Sequence, residues 1–74
     1  MSRSKEICNH YLNVYNKMAG TNLKLSGRNG YYVIEAVVSD TGACELILLS
    51  TLKGCKDFAV AICSLQHLKE REGL

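Results

Sequence analysis

Apolar residues recur at helical spacing near both ends of the chain and at every second position in its middle. Near the N-terminus they form one helical face: Ile7, Cys8, Tyr11, Leu12, Tyr15, Met18 and Ala19. Residues three and four apart share a face of a helix, so this spacing predicts a helix from about Lys5 to Ala19. Ser4 is its predicted N-cap, and Gly20 is the residue expected to end it.

The alternation in the middle of the chain predicts three antiparallel strands. Asn29-Gly30 is a strong hairpin signal and joins a strand that begins near Leu23 to one over 31–38. In this register Lys24 lies opposite Glu35, so two opposite charges meet across the strands. A three-residue loop over 40–42, with Gly42 in a left-handed conformation, leads to a third strand over 44–49.

The last segment returns to helical spacing. Either Ser50 or Thr51 is expected to cap a second helix that continues to about Glu72 and ends at Gly73. Its apolar positions are Leu52, Cys55, Phe58, Ala59, Ile62, Cys63, Leu65, Gln66 and Leu68, with one polar interruption. The chain is therefore predicted to be a single small α+β domain over 1–74, in the order α-β-β-β-α. It consists of a three-stranded antiparallel meander with two helices packed on one face.

The predicted register gives the sheet two different faces. The face expected to receive the helices carries Leu23, Leu25, Tyr32, Ile34, Ala36, Val38, Cys44, Leu46 and Leu48. The opposite face carries Lys24, Ser26, Tyr31, Val33, Glu35, Val37, Glu45, Ile47 and Leu49. Two helices on one side of a sheet leave the second face open, and this one is more apolar than a solvated face usually is.

We interpret the open face as a contact surface for another protein or for a second copy of the chain. The predicted contact residues are Arg28, Tyr31, Val33, Glu35, Val37, Ile47 and Leu49. Two other interpretations stay open at this point. The helices could lie on opposite faces of the sheet, or the β-branched residues could be present for strand propensity alone.

Length and charge narrow the class of protein. A chain of 74 residues buries only about 60% of its unfolded surface, so it supports one core. The net charge is +2 and the basic residues are scattered, which gives no strong general attraction to nucleic acid. The sequence has no run long enough to span a membrane and begins without a signal-peptide core, so we expect a cytoplasmic location without membrane contact.

Candidate chemistry is sparse. Four cysteines, Cys8, Cys44, Cys55 and Cys63, occupy positions where apolar residues are expected, which favours free, packed thiols. Their spacing does not suit structural zinc. The local pairs Cys8 with His10 and Cys63 with His67 place the thiol inward and the imidazole outward, so neither pair forms a nucleophile and base. We therefore expect no metal, no cofactor and no catalytic residue.

The order of elements is that of the double-stranded RNA-binding domain. Lys53 and Lys56 near the start of the second helix, followed by Ala59, Ala61 and Leu65, resemble the last helix of that family. The resemblance implies nucleic-acid binding through Lys53, Lys56 and Arg28, in such a domain or in a small transcriptional regulator, as the alternative function. The sequence departs from the family in its first hairpin, where Gly27-Arg28-Asn29-Gly30 replaces a Gly-Pro-x-His loop.

A second resemblance covers about residues 23–65. The segment Leu25-Ser26-Gly27-Arg28-Asn29-Gly30-Tyr31-Tyr32-Val33-Ile34 precedes an Asp-x-Gly turn, a Leu-rich strand and a helix. This arrangement is similar to short accessory proteins of phages and prophages of gut Firmicutes. Small phage proteins of this kind often bind and block a host protein, and the anti-CRISPR proteins are the best known of them. The resemblance implies an inhibitor that acts in the host cytoplasm by occluding a partner and brings no catalytic residues.

Overall fold

The computed structural model describes residues 3–38 and 40–72, with the backbone but not the side chain of Arg28. Helix α1 spans Arg3–Ala19, the strands β1, β2 and β3 span Leu23–Arg28, Tyr31–Val37 and Cys44–Ser50, and helix α2 spans Leu52–Glu72. The strands form one antiparallel sheet in the order β1-β2-β3. The predicted α+β class and the α-β-β-β-α order are confirmed.

The ends of the helices are set by local hydrogen bonds. Helix α1 already begins at Arg3, so the predicted N-cap Ser4 lies inside its first turn. At the other end Gly20 has a φ of 70°, and the Asn16 carbonyl accepts hydrogen bonds from the backbone N–H groups of Gly20 and Thr21. Thr51 caps α2, since its Oγ1 accepts a hydrogen bond of 3.0 Å from the Gly54 N–H. Gly73, predicted to end α2, lies outside the described residues.

The first hairpin has the predicted register. Lys24 pairs with Glu35 and Leu25 with Ile34, and Gly30 has the positive φ that the tight turn requires. In the second connection the Val38 N–H donates to the Ala43 carbonyl, and Gly42 also has a positive φ.

The second hairpin differs from the prediction by a β-bulge. Ile34 pairs with Leu48, but the next pair along the ladder joins Glu35 to Leu46, so Ile47 is the extra residue of β3. Because side chains alternate between faces, one inserted residue moves every side chain beyond it to the other face. Three predicted inward positions are corrected: Cys44 and Leu46 belong to the face without helices, and Val38 lies beyond the end of β2 and is exposed.

Both helices pack on the same face of the sheet. Cys8 and Leu12 of α1 form one buried cluster with Cys55 and Ala59 of α2 and with Ile34 at the centre of the sheet. Around this cluster pack the partly buried residues Tyr11, Leu23, Leu25, Tyr32, Leu48, Phe58 and Ile62. The packing confirms the two-layer arrangement and rules out helices on opposite faces.

The two helices run in the same direction across the sheet. Helix α1 ends where β1 begins, and α2 begins where β3 ends. The strand pairing places these two points at opposite ends of the sheet, so both helices run toward the same end.

The last third of α2 extends beyond the hydrophobic core. Leu65 and Leu68, predicted as inward positions, are exposed, since the last buried residue of α2 is Cys63.

Candidate protein-binding surface

The sheet face without helices is the main exposed feature of the fold, and we call it the outer face. In the observed register it consists of Lys24, Ser26, Tyr31, Val33, Glu35, Val37, Cys44, Leu46 and Leu49. Polar and apolar side chains lie in separate areas of this face. The polar ones lie on β1 and at Glu35 of β2, whereas the side chains on and nearest to β3 are apolar. An interaction surface commonly combines such an apolar area with a polar border.

The apolar side of the outer face is concave. A depression of about 320 Å³ is lined by Tyr31, Val33, Glu35, Leu46 and Leu49. The two leucines have relative exposures of 61% and 53%, and Tyr31 is also exposed. Large apolar side chains that stay this exposed gain most from burial, at roughly 25 cal/mol per Å² of surface removed from water.

Val33 forms the floor of the depression. It lies on the central strand, paired with Ser26 on one side and Leu49 on the other, and its relative exposure is only 5%. The prediction placed Val33 on the correct face. Its neighbours on that face nevertheless cover it, so it shapes the surface and offers a partner little area.

Glu35 supplies a fixed polar group at the margin of the depression. Ser26 Oγ donates a hydrogen bond of 3.0 Å to Glu35 Oε2, and Lys24 lies opposite Glu35 in the strand pairing. A carboxylate held in this way keeps one orientation, which favours a directional hydrogen bond to a partner.

Ile47, predicted to be a contact residue, does not lie on the outer face. The bulge turns it toward the helices, where it lines a second cavity with Phe58 and Ile62. Leu46 takes its place on the outer face and is the exposed lining residue that sequence reasoning missed. Val37 lies on the outer face as predicted, but its side chain is half-buried at the strand end, where it also lines the second cavity. The predicted contact by the Arg28 side chain falls outside the described residues.

The positive charge at the start of α2, where the alternative nucleic-acid contact is predicted, is partly neutralised. Lys53 Nζ lies 2.9 Å from Asp57 Oδ2, one turn further along the helix. The hydrogen bond from Lys53 lowers the pKa of the Asp57 carboxyl. The pair is exposed, so it adds little stability, but it places a negative charge next to one of the two lysines predicted to meet phosphates.

The cysteines fall into two classes. Cys8, Cys55 and Cys63 are buried as predicted, whereas Cys44 is exposed because the bulge moves it to the outer face. Burial raises the pKa of the Cys8 thiol to about 11, with a smaller contribution from the nearby Cys55. Burial also raises the pKa of Cys55. Thiols of this kind are protonated near neutral pH and act as apolar packing groups.

The histidines lie where the periodicity predicts. His10 and His67 are exposed, whereas Cys8 and Cys63, their neighbours in sequence, are buried. Among residues 3–38 and 40–72, no three side chains of the types that bind metals come together.

Asn16 is a second residue whose role sequence reasoning missed. Its Oδ1 accepts hydrogen bonds from the Leu23 N–H at 2.9 Å and from Thr21 Oγ1 at 2.8 Å. Its Nδ2 donates to the Leu23 carbonyl at 3.0 Å. This arrangement, the Asn16 clamp, fixes the connection between α1 and β1. An asparagine one turn before a helix-ending glycine is the only sequence signal for it.

No protein-family model matches the chain, and no curated protein or solved structure matches it either. Within the described part of the chain, neither helix is long and apolar enough to cross a membrane.

Proposed function

We propose that this chain is a small protein-binding inhibitor that acts by covering the surface of its partner with the outer face. The observation that carries the proposal is the pair Leu46 and Leu49, both more than half exposed on a sheet face that neither helix covers. Exposed apolar area concentrated around a depression, with polar groups at its margin, is typical of a binding surface.

The dimensions of the fold are compatible with inhibition by steric occlusion of a partner's surface. The domain measures 43 × 31 × 17 Å, so it is a thin plate with helices on one side and the outer face on the other. A stable interface usually buries about 800 Å² on each partner. Three strands cover only about 15 × 23 Å, so we expect the hairpin tip at Asn29-Gly30 to contribute to the same contact.

The class of partner follows from the resemblance of residues 23–65 to short phage accessory proteins. We infer that the partner is a host protein or protein complex, and that the activity is that of an anti-CRISPR protein or a related inhibitor of host defence. Such an activity needs a stable scaffold and an exposed patch and requires no turnover. The predicted cytoplasmic location agrees with a partner of this kind.

The test introduces positive charge at leucines of similar exposure on two different surfaces. Leu46→Lys combined with Leu49→Lys alters the outer face, and Leu65→Lys alters α2 at a residue with 64% exposure. Tagged forms of each are used to capture proteins from a nuclease-treated Firmicutes lysate and are expressed in cells with active CRISPR immunity. We expect the parent chain and the Leu65 variant to retain the same partner and to restore plaque formation by a targeted phage.

The outer-face variant should lose both properties while its circular dichroism spectrum stays unchanged. Equal partner retention by both variants would show that the outer face is not the contact. A second copy as the partner would appear as a doubled mass in light scattering that returns to the monomer value in the outer-face variant.

Duplex RNA binding is the second candidate, and the observation that favours it is the topology. Both helices lie in parallel on one face of an antiparallel meander, as in the double-stranded RNA-binding domain, and Lys56 follows Lys53 at the start of α2. The ion pair with Asp57 leaves this region with less positive charge than such a surface needs.

Fluorescence anisotropy with a 20-base-pair RNA duplex tests this candidate. If it is correct, affinity falls steeply with salt, and Lys53→Ala with Lys56→Ala reduces it further. Asp57→Asn should then strengthen binding, because it frees Lys53 from its partner. A lack of salt-sensitive binding at 50 mM salt would exclude this function.

A further inference from the structure

We propose that the chain has a second binding site, an interlayer cavity between the helices and the sheet that takes an uncharged, largely apolar small molecule. The cavity has a volume of about 440 Å³. Its apolar lining consists of Leu23, Ala36, Val37, Val38, Ile47, Phe58 and Ile62. None of these residues lines the depression on the outer face, so this site is separate from the proposed inhibitory contact at Leu46 and Leu49.

Both layers of the fold contribute walls to the cavity, which stays partly open to solvent. Phe58 and Ile62 of α2 form one wall, and Leu23 of β1 and Ile47 of β3 form the other. A ligand there would contact residues of both layers, which removes part of its surface from water. Sites for small molecules typically have volumes of ~300–1,000 Å³ and predominantly apolar walls.

The bulge in β3 helps to create the site. Without the extra residue Ile47 would belong to the outer face, and Leu46 would point toward the helices. As observed, Ile47 lines the cavity and still has 41% relative exposure. The fold thus leaves an apolar side chain incompletely covered inside a concave site, where a ligand would complete its burial.

The charge of the lining selects the class of ligand. None of the described residues that line the cavity is charged, and its polar side chains come from Tyr15, Thr21 and Asn22. A charged ligand would lose its hydration without gaining an opposite charge, which is costly. An uncharged ligand with one or two hydrogen-bonding groups matches this lining.

The Asn16 clamp makes the site largely pre-formed. Gly20, Thr21 and Asn22 line the cavity, and the Asn16 side chain holds this segment through Thr21 and both backbone groups of Leu23. A fixed wall reduces the ordering cost of binding. Asn16 is thus a positioning residue for this site.

A matched pair of fluorescent probes tests the assignment. N-phenyl-1-naphthylamine is uncharged, and 8-anilino-1-naphthalenesulfonate has a similar ring system with a negative charge. We expect saturable binding of one equivalent of the uncharged probe and at least about tenfold weaker binding of the sulfonate, although the chain has a net charge of +2. Equal affinity for the two probes would overturn the assignment to uncharged ligands.

Two neighbouring residues of β3 provide the matched variants. Ile47→Glu places a charge in the cavity, and Leu46→Glu places the same charge on the outer face. We expect about a tenfold loss of affinity for the uncharged probe in the first variant and none in the second. The reverse pattern would place the probe on the outer face and overturn the proposal, as would equal loss in both variants.

NMR chemical-shift mapping of the parent chain tests the same site without any substitution, so the result does not depend on whether a variant folds. The uncharged probe should shift the amide signals of Gly20, Thr21 and Ile62 and leave those of Tyr31 and Leu49 unchanged. Shifts confined to Tyr31 and Leu49 would refute the cavity site, and a lack of any shift would show that the cavity takes no such ligand. Neither result bears on the inhibitory contact, which is tested by partner capture.

Discussion

Replacing Asn16 by alanine should destabilise the chain far more than a half-buried helix position normally does. The change removes three hydrogen bonds, from Asn16 to Thr21 Oγ1 and to the N–H and carbonyl of Leu23. Each hydrogen bond contributes about 0.5–1.5 kcal/mol, so the expected loss for the three bonds is about 1.5–4.5 kcal/mol. A chain of this size is stable by roughly 4–11 kcal/mol, so the loss is a large fraction of the total.

The comparison needs two companion variants. Thr21→Ala removes only one of the three hydrogen bonds and should cost about 1 kcal/mol. Asn13→Ala makes the same chemical change at an exposed position of the same helix, so it corrects for the higher helix propensity of alanine.

Urea denaturation followed by circular dichroism at 222 nm supplies the free energies, provided that the slope with denaturant is the same in all variants. The expected order of destabilisation is Asn16→Ala, then Thr21→Ala, then Asn13→Ala. If Asn16→Ala costs no more than Asn13→Ala, the clamp does not fix the connection between α1 and β1. The cavity wall formed by Gly20, Thr21 and Asn22 would then not be held in place by Asn16.

Three further predictions concern burial. Val33→Ala should cost about 2 kcal/mol and Leu49→Ala less than about 0.5 kcal/mol in the same denaturation assay, and equal costs would show that Val33 is not covered. Brief alkylation by iodoacetamide at pH 8 should modify Cys44 first, and mass spectrometry of peptides showing Cys8 modified as fast would contradict its burial. The folded-state pKa of Cys8 is raised from 9.0 to about 11, and that of Cys55 is also raised. Their contribution to stability is therefore complete below pH 9 and lost as the pH rises toward 11, and Cys8→Ala should flatten this decline in melting temperature.

The order and type of the elements could be predicted because the local signals agree with one another. Gly20 and Gly30 adopt the positive φ that their turns require, and Lys24 pairs with Glu35 as the charge match indicated. Helical periodicity also identified core residues correctly, since Leu12 and Ala59 are buried between the helices and the sheet.

The side-chain directions in the first half of β3 could not be predicted. The segment from Leu46 to Leu49 is apolar at every position, so alternation gives no register, and the position of the bulge depends on how the second loop closes. The exposure of Leu65 and Leu68 was also missed, because helical spacing does not tell how far the opposing layer extends. Both errors concern long-range packing, and the error in β3 changes which residues form the outer face and the cavity.

The bulge at Ile47 also affects the exposed edge of the sheet. Strand β3 is an edge strand of the sheet. Its residues Cys44–Ser50 include no lysine, arginine or proline that would block the addition of another strand. Regular strand addition from copy to copy requires an unbroken row of backbone groups, which a bulge interrupts and twists. At the high concentrations reached during overexpression, the irregular edge favours discrete assembly through side chains over open-ended growth of fibres.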